Sequence, residues 1–167
     1  SKIDGSDLLN IHTFGFRGEA LASLSAVARL TLTSRPKGAE AARLDASGGA
    51  LSTVRPAAGK HGTTVEIRDL FYATPARLKF LRTDRAEMQA VTDVVKRLAM
   101  AEPYVRFELM DETDGVRRVF TAPAETGEPV QALASRLGAV LGAEFIENAI
   151  PIDAEREGLH LTGYAAL

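Results

Sequence analysis

The 167-residue chain contains no cysteine, and its three histidines are far apart in the sequence. Without cysteine it cannot form disulfides, thiolate zinc sites or a cysteine nucleophile. His12, His61 and His160 show no metal-ligand spacing, so we interpret them as ordinary surface or core residues. No apolar run approaches the ~20 residues that span a bilayer, and no signal-peptide pattern opens the sequence. These absences predict a soluble, cytoplasmic protein without membrane contact.

The sequence also has no excess of positive charge, since 20 basic and 22 acidic residues give a net charge of −2. A self-sufficient nucleic-acid binder usually carries an overall basic footprint. Any DNA contact must therefore come from a local patch, a partner subunit or further sequence. The hydrophobic share of 46% and the charged share of 25% are typical of soluble globular proteins and exclude a disordered, collagen-like or coiled-coil chain.

Hydrophobic periodicity and turn residues predict an α+β protein, with helices on one face of a mixed or antiparallel sheet. A short helix capped by Ser6 or Asp7 should come first. The other predicted helices cover 19–27, 75–81, 84–101 and 129–141, and the predicted strands cover 29–35, 42–46, 51–57, 62–68, 105–109, 116–121, 149–154 and 159–166. Helix 84–101 should be capped by Thr83 and should bury a stripe of Met88, Val91, Val95 and Leu98 against the sheet. The loop 122–127 is the candidate domain border, and the chain begins and ends in mid-pattern, as expected for a piece of a longer protein.

The segment 15–21, with the sequence Gly-Phe-Arg-Gly-Glu-Ala-Leu, is the strongest candidate for chemistry. Its two glycines let the backbone approach a ligand, and the helix that follows presents unpaired N–H groups suited to phosphate. Arg17 adds a fork of donors for phosphate oxygens. A Gly-rich helix entry can also be no more than a turn, so the pattern alone leaves both interpretations open.

Two further segments could bind ligands. Gly62, Thr63 and Thr64 combine close backbone approach with hydroxyl groups, although a glycine turn that opens a β-branched strand gives the same pattern. The basic residues Arg77, Lys79, Arg82 and Arg85 form either a solvated face or a weak contact to a duplex backbone. The chain has no Walker A phosphate loop, no nucleophile elbow and no convincing pair of catalytic carboxylates.

Three stretches together resemble the MutL family of DNA mismatch repair proteins. The segment 13–24 resembles the family's ATP-lid motif, 62–67 its Gly-Thr motif, and 69–81 the signature that follows that strand. Ser1 and Lys2 resemble the end of its Thr-Ser-Lys lid segment. The family belongs to the ATPase superfamily of gyrase B, the large heat-shock chaperone and histidine kinases (GHKL).

The resemblance implies the lid side of a GHKL-type α/β sandwich over residues 1–121. Residues 122–167 should then begin a transducer domain of the ribosomal-protein-S-five type. It also implies that the parent protein binds ATP and Mg²⁺, hydrolyses ATP slowly and dimerises through its N-terminal region. Its expected partners are the mismatch-recognition protein MutS and duplex DNA without sequence preference.

By the same resemblance, the residues that bind nucleotide are Ser1, Lys2, Gly15, Phe16, Arg17, Gly18 and Thr63. Ala73 and Leu78 depart from the family's usual Asn and Arg. The general base, the magnesium ligand, the adenine-binding motif and the lysine that reaches the γ-phosphate are expected outside this chain. We therefore expect no catalytic residue and no metal ligand here, and no ATPase activity from the isolated chain.

Two alternatives remain open at this point. Another member of the superfamily, such as a type II topoisomerase subunit, could carry similar motifs, although segment 71–77 argues against it. A non-enzymatic module that binds DNA or protein is the alternative from a different class.

Overall fold

The computed structural model describes residues 18–166, which form two compact units divided between Leu81 and Arg82. The predicted helix near Ser6 lies outside the described residues. The first unit contains α1 (Glu19–Val27), β1 (Arg29–Arg35), β2 (Ala41–Ser47), β3 (Ala50–Leu51), β4 (Arg55–Ala57), β5 (Gly62–Arg68) and α2 (Pro75–Leu78). The second contains α3 (Asp84–Ala101), β6 (Phe107–Asp111), β7 (Arg117–Ala122), α4 (Pro129–Leu141), α5 (Ala143–Glu147), β8 (Ala149–Arg156) and β9 (Leu159–Ala166). Helices beside antiparallel sheets confirm the predicted α+β class.

The first unit is built on an antiparallel sheet in the order β3–β2–β1–β5, with β4 also paired to β2. Side chains alternate between its faces because successive residues of a strand point in opposite directions. Leu30 lies opposite Ala46 of β2, both are buried on the same face of the sheet, and α1 contacts both strands. We call this the inner face. It contains Leu30, Leu32 and Ser34 of β1 and Thr63, Val65 and Ile67 of β5.

The predicted strand 51–57 is interrupted between β3 and β4, which corrects that prediction. The hydroxyl of Ser52 accepts a hydrogen bond from the Asp45 N–H at 3.0 Å and donates one to the Thr53 carbonyl at 3.0 Å. A serine side chain that bonds to nearby backbone competes with the ladder between strands. The return strand therefore pairs with β2 in two short pieces.

Helix α3 of the second unit has the predicted bounds, and Thr83 caps it by accepting from the Ala86 N–H at 3.3 Å. Its predicted buried stripe is partly wrong, because Val91 and Leu98 are 45% and 44% exposed. Thr92 and Ala99 are buried instead, beside the half-buried Met88 and Val95. A threonine can occupy the buried face because its hydroxyl donates to the Met88 carbonyl at 2.7 Å.

Two other features qualify the sequence prediction. Helix α2 ends at Leu78, three residues earlier than expected, and turns continue the chain to Leu81. The loop 122–127, predicted as the border between two family domains, lies within the second unit. Compactness alone does not assign residues to ATPase or transducer domains, so that border stays a prediction.

Within residues 18–166, no helix has the length and apolar character needed to cross a membrane.

Candidate functional site

Of the residues predicted to bind phosphate at the start of α1, Gly18 lies within the described part of the chain. Gly18 precedes the helix with φ 68° and ψ 12°, a left-handed conformation that glycine adopts without steric cost. Gly18, the N-cap residue, makes no side-chain bond to the first turn of α1, where the leading amide N–H groups of a helix have no partner within the helix itself. The other predicted residues of this motif and of the lid segment lie outside the described residues: Ser1, Lys2, Gly15, Phe16 and Arg17.

Thr63 lies on the inner face, near the first residue of β5, and its side chain is exposed. It stands directly opposite Ser34 of β1, and the two hydroxyl oxygens are 2.8 Å apart in a hydrogen bond. Thr63 was predicted from the sequence, whereas Ser34 was not. Ser34 could have been noticed because it continues the alternating positions of Leu30 and Leu32, where the strand pattern predicts an apolar residue.

The strand ends around this hydroxyl pair are fixed by neighbouring contacts. Arg35 donates hydrogen bonds to the main-chain carbonyls of Ala39 at 3.2 Å and Gly59 at 3.1 Å. A Cβ atom at Gly59 would lie 3.4 Å from side-chain atoms of Ala41 and Thr33, so this glycine packs closely against the sheet. These contacts hold the end of β1, and with it Ser34, close to the start of β5.

The loop that follows β5 is tied to α1 and β1. Asp69 and Phe71 have φ angles of 51° and 67°, which cost energy in residues other than glycine and persist only where neighbours hold them. The Phe71 N–H donates to the Val27 carbonyl at 2.8 Å, at the end of α1. Arg29 forms an ion pair with Asp69 at 2.9 Å and lies 4.8 Å from the centre of the Tyr72 ring. The loop therefore holds α1 against the sheet.

The outer face of the same sheet is polar and carries an ion network. Asp45 accepts hydrogen bonds from Arg43 at 2.7 Å, Thr31 at 2.7 Å and Arg55 at 2.5 Å. The hydrogen bonds from Arg43 and then Thr31, with the charges of Arg43 and Arg55, lower the pKa of Asp45 from 3.8 to about 2. Asp45 therefore stays ionised at neutral pH and organises the two arginines. A concavity of about 370 Å³ lies on this face, on the opposite side of the sheet from Thr63.

Over its full length the chain is 57% identical to the DNA mismatch repair protein MutL of Rhodospirillum rubrum and 53% identical to that of Paramagnetospirillum magneticum. The chain belongs to the MutL family. It spans about a quarter of these curated relatives, 26% and 27% of their lengths. It also matches the Aquifex aeolicus MutL ATPase domain complexed with ADP, with a TM-score of 0.64 and 31% identity over 74% of this chain and 48% of that one. No protein-family model matches the chain.

These similarities confirm the resemblance to MutL and the fold class that it implied. The rival assignments, a topoisomerase subunit or a non-enzymatic module, are not favoured, because the matched relatives and solved domains are MutL proteins.

The four basic residues predicted to contact DNA in this MutL segment are divided between the two units. Arg77 lies in α2 with its guanidinium 5.9 Å from the centre of the Phe71 ring, and Lys79 follows it on an exposed turn. Arg82 is exposed at the start of the second unit, and Arg85 lines a polar groove of about 510 Å³ between α3 and the β6–β7 hairpin. Their contact with a duplex backbone therefore stays a prediction.

Proposed function

We propose that the MutL protein carrying this segment binds and hydrolyses ATP during mismatch repair, and that this segment supplies the donors for the phosphates. The observation that carries the proposal is Gly18, whose left-handed backbone opens α1 inside the motif that resembles the family's ATP lid. The solved Aquifex aeolicus relative, an ATPase domain complexed with ADP, supports nucleotide binding by this fold.

In this proposal the residues act as preorganised donors to negative charge. The amides of the first turn of α1 and of Gly15, Phe16 and Gly18 would donate to the phosphate oxygens, and the helix dipole also favours an anion at this end of α1. Arg17, Lys2 and Ser1 add charge-assisted or hydroxyl donors. Thr63 contributes its hydroxyl from the sheet. Donors fixed before the reaction stabilise the charge that develops on the phosphates during hydrolysis.

The proposal places the general base and the Mg²⁺ ligand elsewhere in the protein. Among residues 18–166, no three side chains of His, Asp or Glu are grouped closely enough to hold a metal ion. Mg²⁺, when bound, would neutralise and orient the phosphate oxygens. We assign no residue of this segment to it.

The wider role follows from family membership. We propose that ATP binding drives dimerisation of the N-terminal region, and that the protein acts in the cytoplasm with the mismatch-recognition protein MutS. Arg77, Lys79, Arg82 and Arg85 would contact duplex DNA through its phosphates. Reversing one charge, as in Lys79→Glu, should weaken binding to all sequences and reduce the salt slope by about one.

Gly18→Val in the full-length protein tests the central proposal. A β-branched side chain at φ 68° is strained and also blocks close approach to the helix start, so ATP binding measured by calorimetry should weaken at least about tenfold. Gly38→Val is the matched control, since Gly38 has φ 78° in an exposed turn with open space around it. ATP affinity should survive the control change. Equal losses in the two variants, or no loss in Gly18→Val, would refute the proposal.

A further inference from the structure

If Thr63 binds a nucleotide, this contact determines which hydroxyl of the Ser34–Thr63 pair is the donor and which is the acceptor. A hydroxyl has one proton to donate and two lone pairs that accept. If Thr63 gave its proton to Ser34, it could only accept from a ligand. A nucleotide, however, presents mainly acceptors: phosphate oxygens, ribose oxygens and ring nitrogens. Thr63 can donate to such a ligand only while its neighbour donates to it.

We propose that Ser34 is a positioning residue for nucleotide binding, donating its proton to Thr63 so that the Thr63 hydroxyl donates to the nucleotide. This inference rests on the proposed function, in which Thr63 contacts ATP. Ser34 is half-buried whereas Thr63 is exposed, so Thr63 is the member of the pair that can reach a ligand. Among the described residues, the hydroxyl of Ser34 has Thr63 as its hydrogen-bond partner.

The backbone supports this assignment. Ser34 and Thr63 are direct partners in the antiparallel register of β1 and β5, so their Cβ atoms face each other on the inner face. The contacts of Arg35 with Ala39 and Gly59 fix the strand immediately after Ser34.

A cycle of variants in the full-length protein tests the inference, with ATP affinity measured by isothermal titration. Ser34→Ala should weaken ATP binding about 3- to 10-fold, which corresponds to losing one oriented hydrogen bond. Thr63→Val should weaken it at least as much. The double variant should bind like Thr63→Val alone, because Ser34 acts only through Thr63. Ser34→Thr, which keeps a hydroxyl in a strand, should restore affinity.

Ser47→Ala is the matched control for a purely structural effect. Ser47 also forms a hydroxyl–hydroxyl bond, with Tyr72 at 2.7 Å, but on the outer face of the same sheet. Its loss should leave ATP affinity unchanged. The positioning role is overturned if Ser47→Ala weakens binding as much as Ser34→Ala, if the single effects add in the double variant, or if Ser34→Ala has no effect while Thr63→Val does. A wild-type protein that does not bind ATP, or an ineffective Thr63→Val, would refute the proposed nucleotide contact itself.

Discussion

The guanidinium of Arg136 donates a 2.6 Å hydrogen bond to the main-chain carbonyl of Ala99, and neither residue is exposed to solvent. The same side chain donates to the carbonyls of Glu102, Pro103, Val105 and Pro123 at 2.6–3.1 Å. These acceptors lie at the end of α3, before β6 and after β7. One arginine from α4 therefore links main-chain carbonyls from three parts of the second unit, including the carbonyl of the buried Ala99.

Replacing this arginine should strongly destabilise the protein. Arg136→Met removes the hydrogen bonds to these five carbonyls, that of the buried Ala99 among them, and removes the cation that faces Glu125 across 3.7 Å. We expect the free energy of unfolding to fall by at least about 3 kcal/mol in urea denaturation. Arg97→Met is the matched control, because Arg97 is exposed on α3 and should change stability by no more than about 0.5 kcal/mol. Similar stabilities for the two variants would contradict the role assigned to Arg136.

The role of Arg136 could not be predicted from the sequence, whereas the helices around it could. Local signals predicted the bounds of α3 and α4, because capping, proline and glycine act within a few residues. They could not predict a buried arginine, because its acceptors lie 13 to 37 residues away and become neighbours only in the folded chain. The helix pattern treats a charged residue as solvent-facing.

The candidate site shows the same division. Gly18 and Thr63 could be selected as candidates from the sequence because their motif and residue types are local. Ser34 was missed because only the antiparallel register of β1 and β5 places it against Thr63. The wrong stripe on α3 has a related cause, since a sequence pattern counts apolar residues and cannot know that the Thr92 hydroxyl is satisfied within its own helix.

Acid should weaken the outer-face network in a defined range of pH. The pKa of Asp45 is lowered from 3.8 to about 2 in the folded protein, chiefly by the hydrogen bond from Arg43. A depressed folded pKa stabilises the protein above the unfolded pKa, and this contribution is lost as pH falls through the folded pKa. We expect the melting-temperature advantage of wild type over Asp45→Asn to be constant above about pH 5 and to shrink between about pH 4 and pH 2. A difference that stayed constant down to pH 2 would show that the Asp45 charge does not stabilise the fold.

Two neighbouring valines on α3 test which face of this helix is packed. Val95 is half-buried, whereas Val94 is 54% exposed. Val95→Asp places a carboxylate against the packed side of the helix and should cost roughly 1–3 kcal/mol of unfolding free energy. Val94→Asp introduces the same charge one residue away and should cost less than about 1 kcal/mol. Thermal melting of both variants measures the difference, and the reverse order would show that the packed face of α3 is assigned wrongly.

The 167-residue chain on its own should neither hydrolyse ATP nor bind it tightly. Tight binding needs contacts to adenine, a metal that bridges phosphates and donors around their oxygens, and this segment is proposed to supply the donors alone. Charge-assisted hydrogen bonds contribute about 1.5–3 kcal/mol each, whereas association costs at least about 4 kcal/mol and the phosphates must also lose water. We therefore expect a dissociation constant near or above about 1 mM in isothermal titration, equivalent to about −4 kcal/mol. A version extended at its N-terminus with the corresponding MutL sequence should bind far more tightly, and Gly18→Val should weaken that binding. Micromolar affinity of the isolated chain would show that its residues form a more complete nucleotide site than the donors assigned to it.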